Sequence, residues 1–174
     1  DEEEDLERRI KKLLDENREL LKRIAEELRR LLEELRRDHM VLHEYVNAAG
    51  ITLKDRGVPE KDLRDVAEKV KKVLKESEDS NRDVKRKLEK LLRDLERSTE
   101  RLEREARKVR KLLRDGKDIE TLLRELEKLS RDNKELLKKI EKEIRDLIKE
   151  DKERNRELSE RLRKLVEELK KKAT

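Results

Sequence analysis

The chain has 174 residues, of which 57% are charged, yet its net charge is only +5 because basic and acidic side chains nearly balance. It contains no Cys, which excludes disulfides and cysteine metal sites. No apolar run approaches the roughly 20 residues of a membrane span, and no signal-peptide pattern is present. Balanced charge with regularly spaced Leu is typical of long helices. The length fits one domain, which we expect to be soluble and cytoplasmic when expressed.

Apolar residues in the first third of the chain recur every three or four positions, which places them on one face of a helix. The positions are Leu6, Ile10, Leu13, Leu20, Ile24, Leu28, Leu31 and Leu35. Neighbours such as Leu14 and Leu21 widen this stripe, and a wide stripe suits a bundle of three or four helices. The pattern predicts a first helix over about 2–55.

Two short interruptions divide the pattern into three segments. In the first, Gly57 suits the left-handed position that ends a helix, and Pro59 suits the first turn of the next. In the second, Gly116 ends a helix and Asp118 is a good N-cap. Two further helices are therefore predicted over about 59–114 and about 118–172.

Short loops require that consecutive helices run antiparallel. The predicted fold is therefore all-α: a single antiparallel up-down-up three-helix bundle over 1–174, with helices of about 55 residues. Near-equal helices, minimal loops and Lys, Arg or Glu at nearly every surface position are typical of de novo designed bundles. We expect such an origin for this chain.

Several polar residues occupy positions where the stripe calls for apolar ones. Antiparallel hairpins about Gly57 and Gly116 bring position 17 opposite 98, and 98 close to 133. Asn17, Ser98 and Asn133 are thus predicted to form one buried hydrogen-bond layer that fixes the helix register. The alternative is that these residues lie at the edge of the stripe.

A second group of polar residues follows the same arithmetic. Its members are Ser77, Asn81 and Asn155, with Asp151 and Ser159 nearby. The first helix should contribute near 34–38, where the nearest polar residues are Glu34 and Asp38. We therefore predict a second layer that has lost its partner in the first helix.

One stretch, here called the 37–52 segment, differs from the rest of the chain because it contains the only Met, the only Tyr and both His. It consists of Arg37, Asp38, His39, Met40, Val41, Leu42, His43, Glu44, Tyr45, Val46, Asn47, Ala48, Ala49, Gly50, Ile51 and Thr52. Its many β-formers, in partial alternation, predict a strand when the segment is considered alone. Gly50 disfavours a helix by about 1 kcal/mol relative to Ala.

The 37–52 segment resembles the eleventh β-strand of green fluorescent protein, in the version used as a split-reporter tag. The resemblance covers all 16 of its residues without gaps. It implies that the segment binds the complementary ten-strand fragment by strand addition and completes a closed barrel, with Glu44 beside the chromophore. In style, the remaining helices resemble designed switches that cage a peptide in one helix.

The same segment also fits a helix, since Leu42, Tyr45 or Val46, and Ala49 continue the stripe towards Leu53. The pattern favours embedding in the first helix. Asn47, Gly50 and Thr52 argue for fraying near the loop, and a helix that frays from about Ala48 would reconcile the two. Binding of the partner would then require this end of the helix to unpack. The alternative is a solvent-exposed tag between helix and loop.

The predicted function is a scaffold that presents or cages this strand, with no enzymatic activity and no cofactor. An alternative is an incomplete bundle that takes up a fourth helix, from a key peptide or by self-association. His39 and His43 have metal-binding spacing, but no further His or Cys exists, so no metal site is expected. Interleaved charges and few aromatics argue against nucleic acid as a partner, and the composition against a membrane.

Overall fold

A computed structural model describes residues 2–116 and 119–173. They form three helices, α1 (Glu2–Asp55), α2 (Glu60–Arg114) and α3 (Glu120–Lys170), and no strand. The predicted all-α three-helix bundle is confirmed, and the observed helix ends lie close to the predicted ones. None of the described helices contains a stretch apolar enough to cross a bilayer.

The turn between α1 and α2 shows why the first helix ends where it does. Gly57 has a φ of 77°, the left-handed conformation that closes a helix without steric cost. The Val58 N–H donates to the Leu53 carbonyl at 3.2 Å, and the Gly57 N–H donates to the Lys54 carbonyl at 3.2 Å. These are the two bonds of a Schellman motif, and its usual apolar contact is present because Leu53 and Val58 share one buried cluster.

The next helices begin and end as their sequences indicate. Pro59 immediately precedes α2, and its carbonyl accepts the N–H of Leu63 at 3.2 Å. Gly116 follows α2 with a φ of 71°. The predicted N-cap of the third helix, Asp118, lies outside the described residues.

The chain divides into two compact units, and each contains part of all three helices. The first comprises the described residues of 1–29 and 88–145. Within it, α1 and α3 run parallel, because their ion pairs keep an offset of 118 residues, as in Glu27–Arg145. The α2 helix runs antiparallel to α1, since Glu7 pairs with Arg110 and Arg18 with Glu103. The buried core of this unit includes Ile10, Leu102, Ala106, Leu123 and Leu126.

The second unit comprises the described residues of 30–87 and 146–174. It contains the turn at Gly57 and two buried clusters. One cluster consists of Leu42, Val73, Leu158 and Leu162, and the other of Leu53, Val58, Val166 and Leu169. The 37–52 segment lies entirely in this unit. A single bundle over 1–174 stays a prediction.

Candidate functional site

The 37–52 segment is helical from end to end, since α1 continues without interruption to Asp55. The segment is thus embedded in the first helix, and its residues from Ala48 onward are helical as well. The Thr52 hydroxyl donates to the Ala48 carbonyl at 3.0 Å. Beyond it, Leu53 is buried in the cluster that closes the turn. Burial of one Leu is worth about 1.5–3 kcal/mol, which outweighs the helix cost of about 1 kcal/mol at Gly50.

Four residues of the segment face the core of the second unit. Leu42 is only 3% exposed and contacts the cluster of Val73, Leu158 and Leu162. Tyr45, Val46 and Ala49 are half-buried and pack beside it. These are the positions at which the sequence pattern placed the continuation of the stripe.

The exposed part of the segment contains three of the four exposed large hydrophobic residues of the described chain. Met40, Val41 and Ile51 are 49%, 59% and 65% exposed, and Leu136 is the only other exposed large hydrophobic residue in the described part of the chain. The remaining exposed positions of the segment are Arg37, His43, Glu44, Asn47, Ala48, Gly50 and Thr52. Asp38 and His39 are half-buried.

A strand would sort these side chains differently, because successive residues of a strand point to opposite faces. Met40, Leu42 and Glu44 would share one face, whereas in α1 Leu42 is buried and the other two are exposed. Helix formation also engages the backbone groups that strand pairing requires. The helix that the segment forms and pairing of the same residues as a strand therefore exclude each other.

The structure brings together the three residues of the first predicted polar layer. The Asn133 amide donates to the Asn17 side-chain carbonyl at 2.8 Å, and the Ser98 hydroxyl donates to the Asn133 side-chain carbonyl. Asn17 is fully buried and also donates to the Leu13 carbonyl at 2.7 Å. Its buried polar atoms are thus paired, as stability requires.

Two members of this layer were missed in the sequence. The Asn17 amide donates to Ser130 at 2.8 Å, and the Asn133 amide lies 3.4 Å from the Thr99 hydroxyl. Both residues are buried, at 0% and 3% exposure. Each lies three or four residues from core positions of its own helix. That spacing could have identified both residues as members of the layer.

In the second group, the first helix does contribute a partner, so the prediction of a lost partner is wrong. The partner is His39, whose Nδ1 lies 2.8 Å from the Ser77 hydroxyl. The Ser77 hydroxyl in turn donates to the side-chain carbonyl of Asn155 at 3.4 Å. Glu34, one of the two expected candidates, instead pairs with Lys152 at 3.0 Å.

Asp151 of this group lines a small cavity beside His39, together with Ser80 and Arg154. The Ser80 hydroxyl donates to Asp151 at 2.8 Å, and Arg154 donates to the same hydroxyl at 2.6 Å. Asn81 also lines this cavity. Burial, together with the nearby His43, lowers the pKa of His39, so its neutral form is favoured here.

No family model, curated protein or solved structure matches the chain. The interpretation of the site therefore depends on its residues and their geometry.

Proposed function

We propose that the chain is a designed scaffold that cages the eleventh strand of green fluorescent protein in helical form and releases it to the ten-strand fragment. The observation that supports this most directly is the position of the 37–52 segment. It forms one end of α1, with Leu42 buried and its backbone groups engaged in the helix. Strand addition requires those same groups, so the segment must leave the bundle before it can pair.

The contacts of the segment determine the free-energy cost of its release from the bundle. Re-exposing Leu42 alone costs about 1.5–3 kcal/mol, and Tyr45 and Val46 add partly buried area. The His39–Ser77 hydrogen bond is lost as well. Each ~1.4 kcal/mol of caging lowers the apparent affinity of the partner tenfold.

The test is to mix the full chain with the ten-strand fragment and to follow fluorescence. Leu162→Ala loosens the cage without changing the 37–52 segment, because Leu162 lies in α3, is fully buried and packs in the cluster that contains Leu42. A buried Leu→Ala change costs about 2–5 kcal/mol. We expect complementation to accelerate at least tenfold in Leu162→Ala and to accelerate also in mild urea.

Leu123→Ala is the matched control, since Leu123 is buried to the same degree but belongs to the core of the first unit. We expect a smaller acceleration in this variant. Absence of fluorescence in Leu162→Ala and in urea would reject the tag. Equal rates for the parent and Leu162→Ala would reject caging and retain an accessible tag.

The alternative of a fourth helix stays a prediction. It requires an apolar groove, and outside the 37–52 segment Leu136 is the one exposed large hydrophobic residue of the described chain. Light scattering tests it: a mass above that of one chain, alone or with an added helix, would favour assembly.

A further inference from the structure

His39 and His43 lie on consecutive turns of α1, and their rings meet. The two Nε2 atoms are 3.2 Å apart, and the ring centroids are 4.7 Å apart at an interplanar angle of 74°. The two nitrogens face each other at hydrogen-bonding distance, so an ion that binds both would take the place of the proton between them. His43 is exposed, so solvent reaches this region.

The surroundings orient the inner ring of the pair. Because the Ser77 hydroxyl donates to Asn155, its oxygen is free to accept the Nδ1–H of His39. With Ser77 oriented in this way, the hydrogen bond favours the tautomer of His39 that has its proton on Nδ1 and a lone pair on Nε2. In metal sites, a liganding His commonly donates its other ring N–H in this way, which fixes both tautomer and ring orientation.

We propose that His39 and His43 form a two-histidine site for a divalent transition-metal ion such as Zn²⁺, bound through both Nε2 atoms. At metal–nitrogen distances of about 2.0–2.1 Å, two ligands at ordinary coordination angles lie about 2.9–3.4 Å apart. The observed separation of 3.2 Å falls in this range. His43 presents its own Nε2 lone pair when its proton occupies Nδ1, so two neutral rings bind without net proton release.

The site differs from a closed structural zinc site. The described residues contain no cluster of three or more His, Asp or Glu able to bind a metal ion, so water completes the coordination. Although burial favours the neutral ring of His39, the nearby carboxylates of Glu78 and Asp151 act electrostatically at this position and favour a bound cation. No metal site was expected from the sequence because only two His and no Cys are present. The helix nevertheless holds the two nitrogens at a separation that one ion can bridge.

The site exists only while the segment is helical. In a strand, residues four apart are separated by about 13 Å, too far for one ion to bridge. An ion that binds the helical form and not the strand stabilises the helical form by mass action. Stabilisation of the helical form makes the ion an inhibitor of strand release, a step that rests on the proposed function.

Binding is tested first, without the partner. Zn²⁺ is titrated by calorimetry into the full chain and into the variants His39→Gln and His43→Gln. None of these proteins has a polyhistidine purification tag. We expect one Zn²⁺ per chain and at least tenfold weaker binding in each variant, with no binding of Mg²⁺, which prefers oxygen ligands. Asn47 is exposed one turn beyond His43, so Asn47→His combined with His39→Gln rebuilds the spacing and should restore binding.

Unchanged affinity in the single variants would overturn the site, as would a failure of the rebuilt pair to bind. The inhibitory role is tested separately by complementation. Free Zn²⁺ at ten times its dissociation constant should slow the parent about elevenfold and leave His43→Gln unchanged. Equal slowing of both would overturn the inhibitory role. Zinc binding with no complementation in any condition would reject the proposed function and leave the metal site intact.

Discussion

At the scale of single residues, buried polar side chains of the first unit depend on one another. Asn17 is fully buried and hydrogen-bonds with residues of α1 and α3, and Asn133 links it to Ser98 of α2. A layer of this kind penalises any shift in helix register, because a shifted helix would leave amides buried without partners.

Asn17→Leu should therefore destabilise the chain although it adds an apolar side chain to a core position. It removes the acceptor of the Asn133 amide and the donor to Ser130, and an unpaired buried group costs about 1–3 kcal/mol. Urea unfolding measures the loss. The double variant with Asn133→Leu should lose less than the sum of the single losses, whereas strict additivity would contradict a shared network.

At the scale of elements, the end of α1 shows competition between local preference and packing. The 37–52 segment contains β-formers and an internal Gly, yet it is helical up to the Schellman turn. Buried Leu42 and Leu53 lie on either side of Gly50, where helix propensity is lowest. Packing of an amphipathic face, more than intrinsic propensity, supplies most helix stability in proteins.

Gly50→Ala should stabilise this end of the helix by about 1 kcal/mol, because Ala has the higher helix propensity. A methyl group at Gly50 meets no atom within 4 Å. The free energy of unfolding from urea titration gives the result.

Gly116→Ala is the matched control for that change. A methyl group there also meets no atom within 4 Å, but its φ of +71° is unfavourable for Ala. The same substitution should therefore destabilise by about 1–2 kcal/mol. Effects of the same sign at both positions would contradict the assignment of these two backbone conformations.

At the scale of the whole molecule, charge sets the response to acid. Hydrogen bonding from Lys134 lowers the pKa of Glu16, and hydrogen bonding from Lys152 lowers that of Glu34. A carboxyl group whose pKa is lower in the folded state stabilises the fold above its unfolded pKa, and this contribution is lost as pH falls through the folded pKa. Protonation of the chain's 47 acidic residues also leaves its 52 basic residues to repel one another.

The urea midpoint should therefore fall when the pH is lowered from about 6 to about 3. Glu34→Gln should lower the midpoint at pH 6, and its effect should shrink as the pH falls, since the parent carboxyl then loses its charge. A larger effect of the variant at the lower pH would contradict the sign of the pKa shift at Glu34.

Much of the fold was predictable because it depends on local chemistry. Regular spacing of Leu specifies helices, and Gly57 and Gly116 mark two of their ends, as the structure confirms. Pairing of positions across the two antiparallel hairpins also predicted that Asn17, Ser98 and Asn133 lie close together. The same pairing of positions did not identify His39, because the register pointed to 34–38 and His39 lies just beyond that range.

The sequence by itself determined the helical class and the two glycine-closed turns. Only the tertiary structure decided which of two conformations that segment adopts and that its histidine rings meet beside Ser77. The physical reason is that the segment's local preferences differ by about 1 kcal/mol per residue or less. Burial of Leu42 and Leu53 against the other helices is worth more, and only the packed chain supplies it.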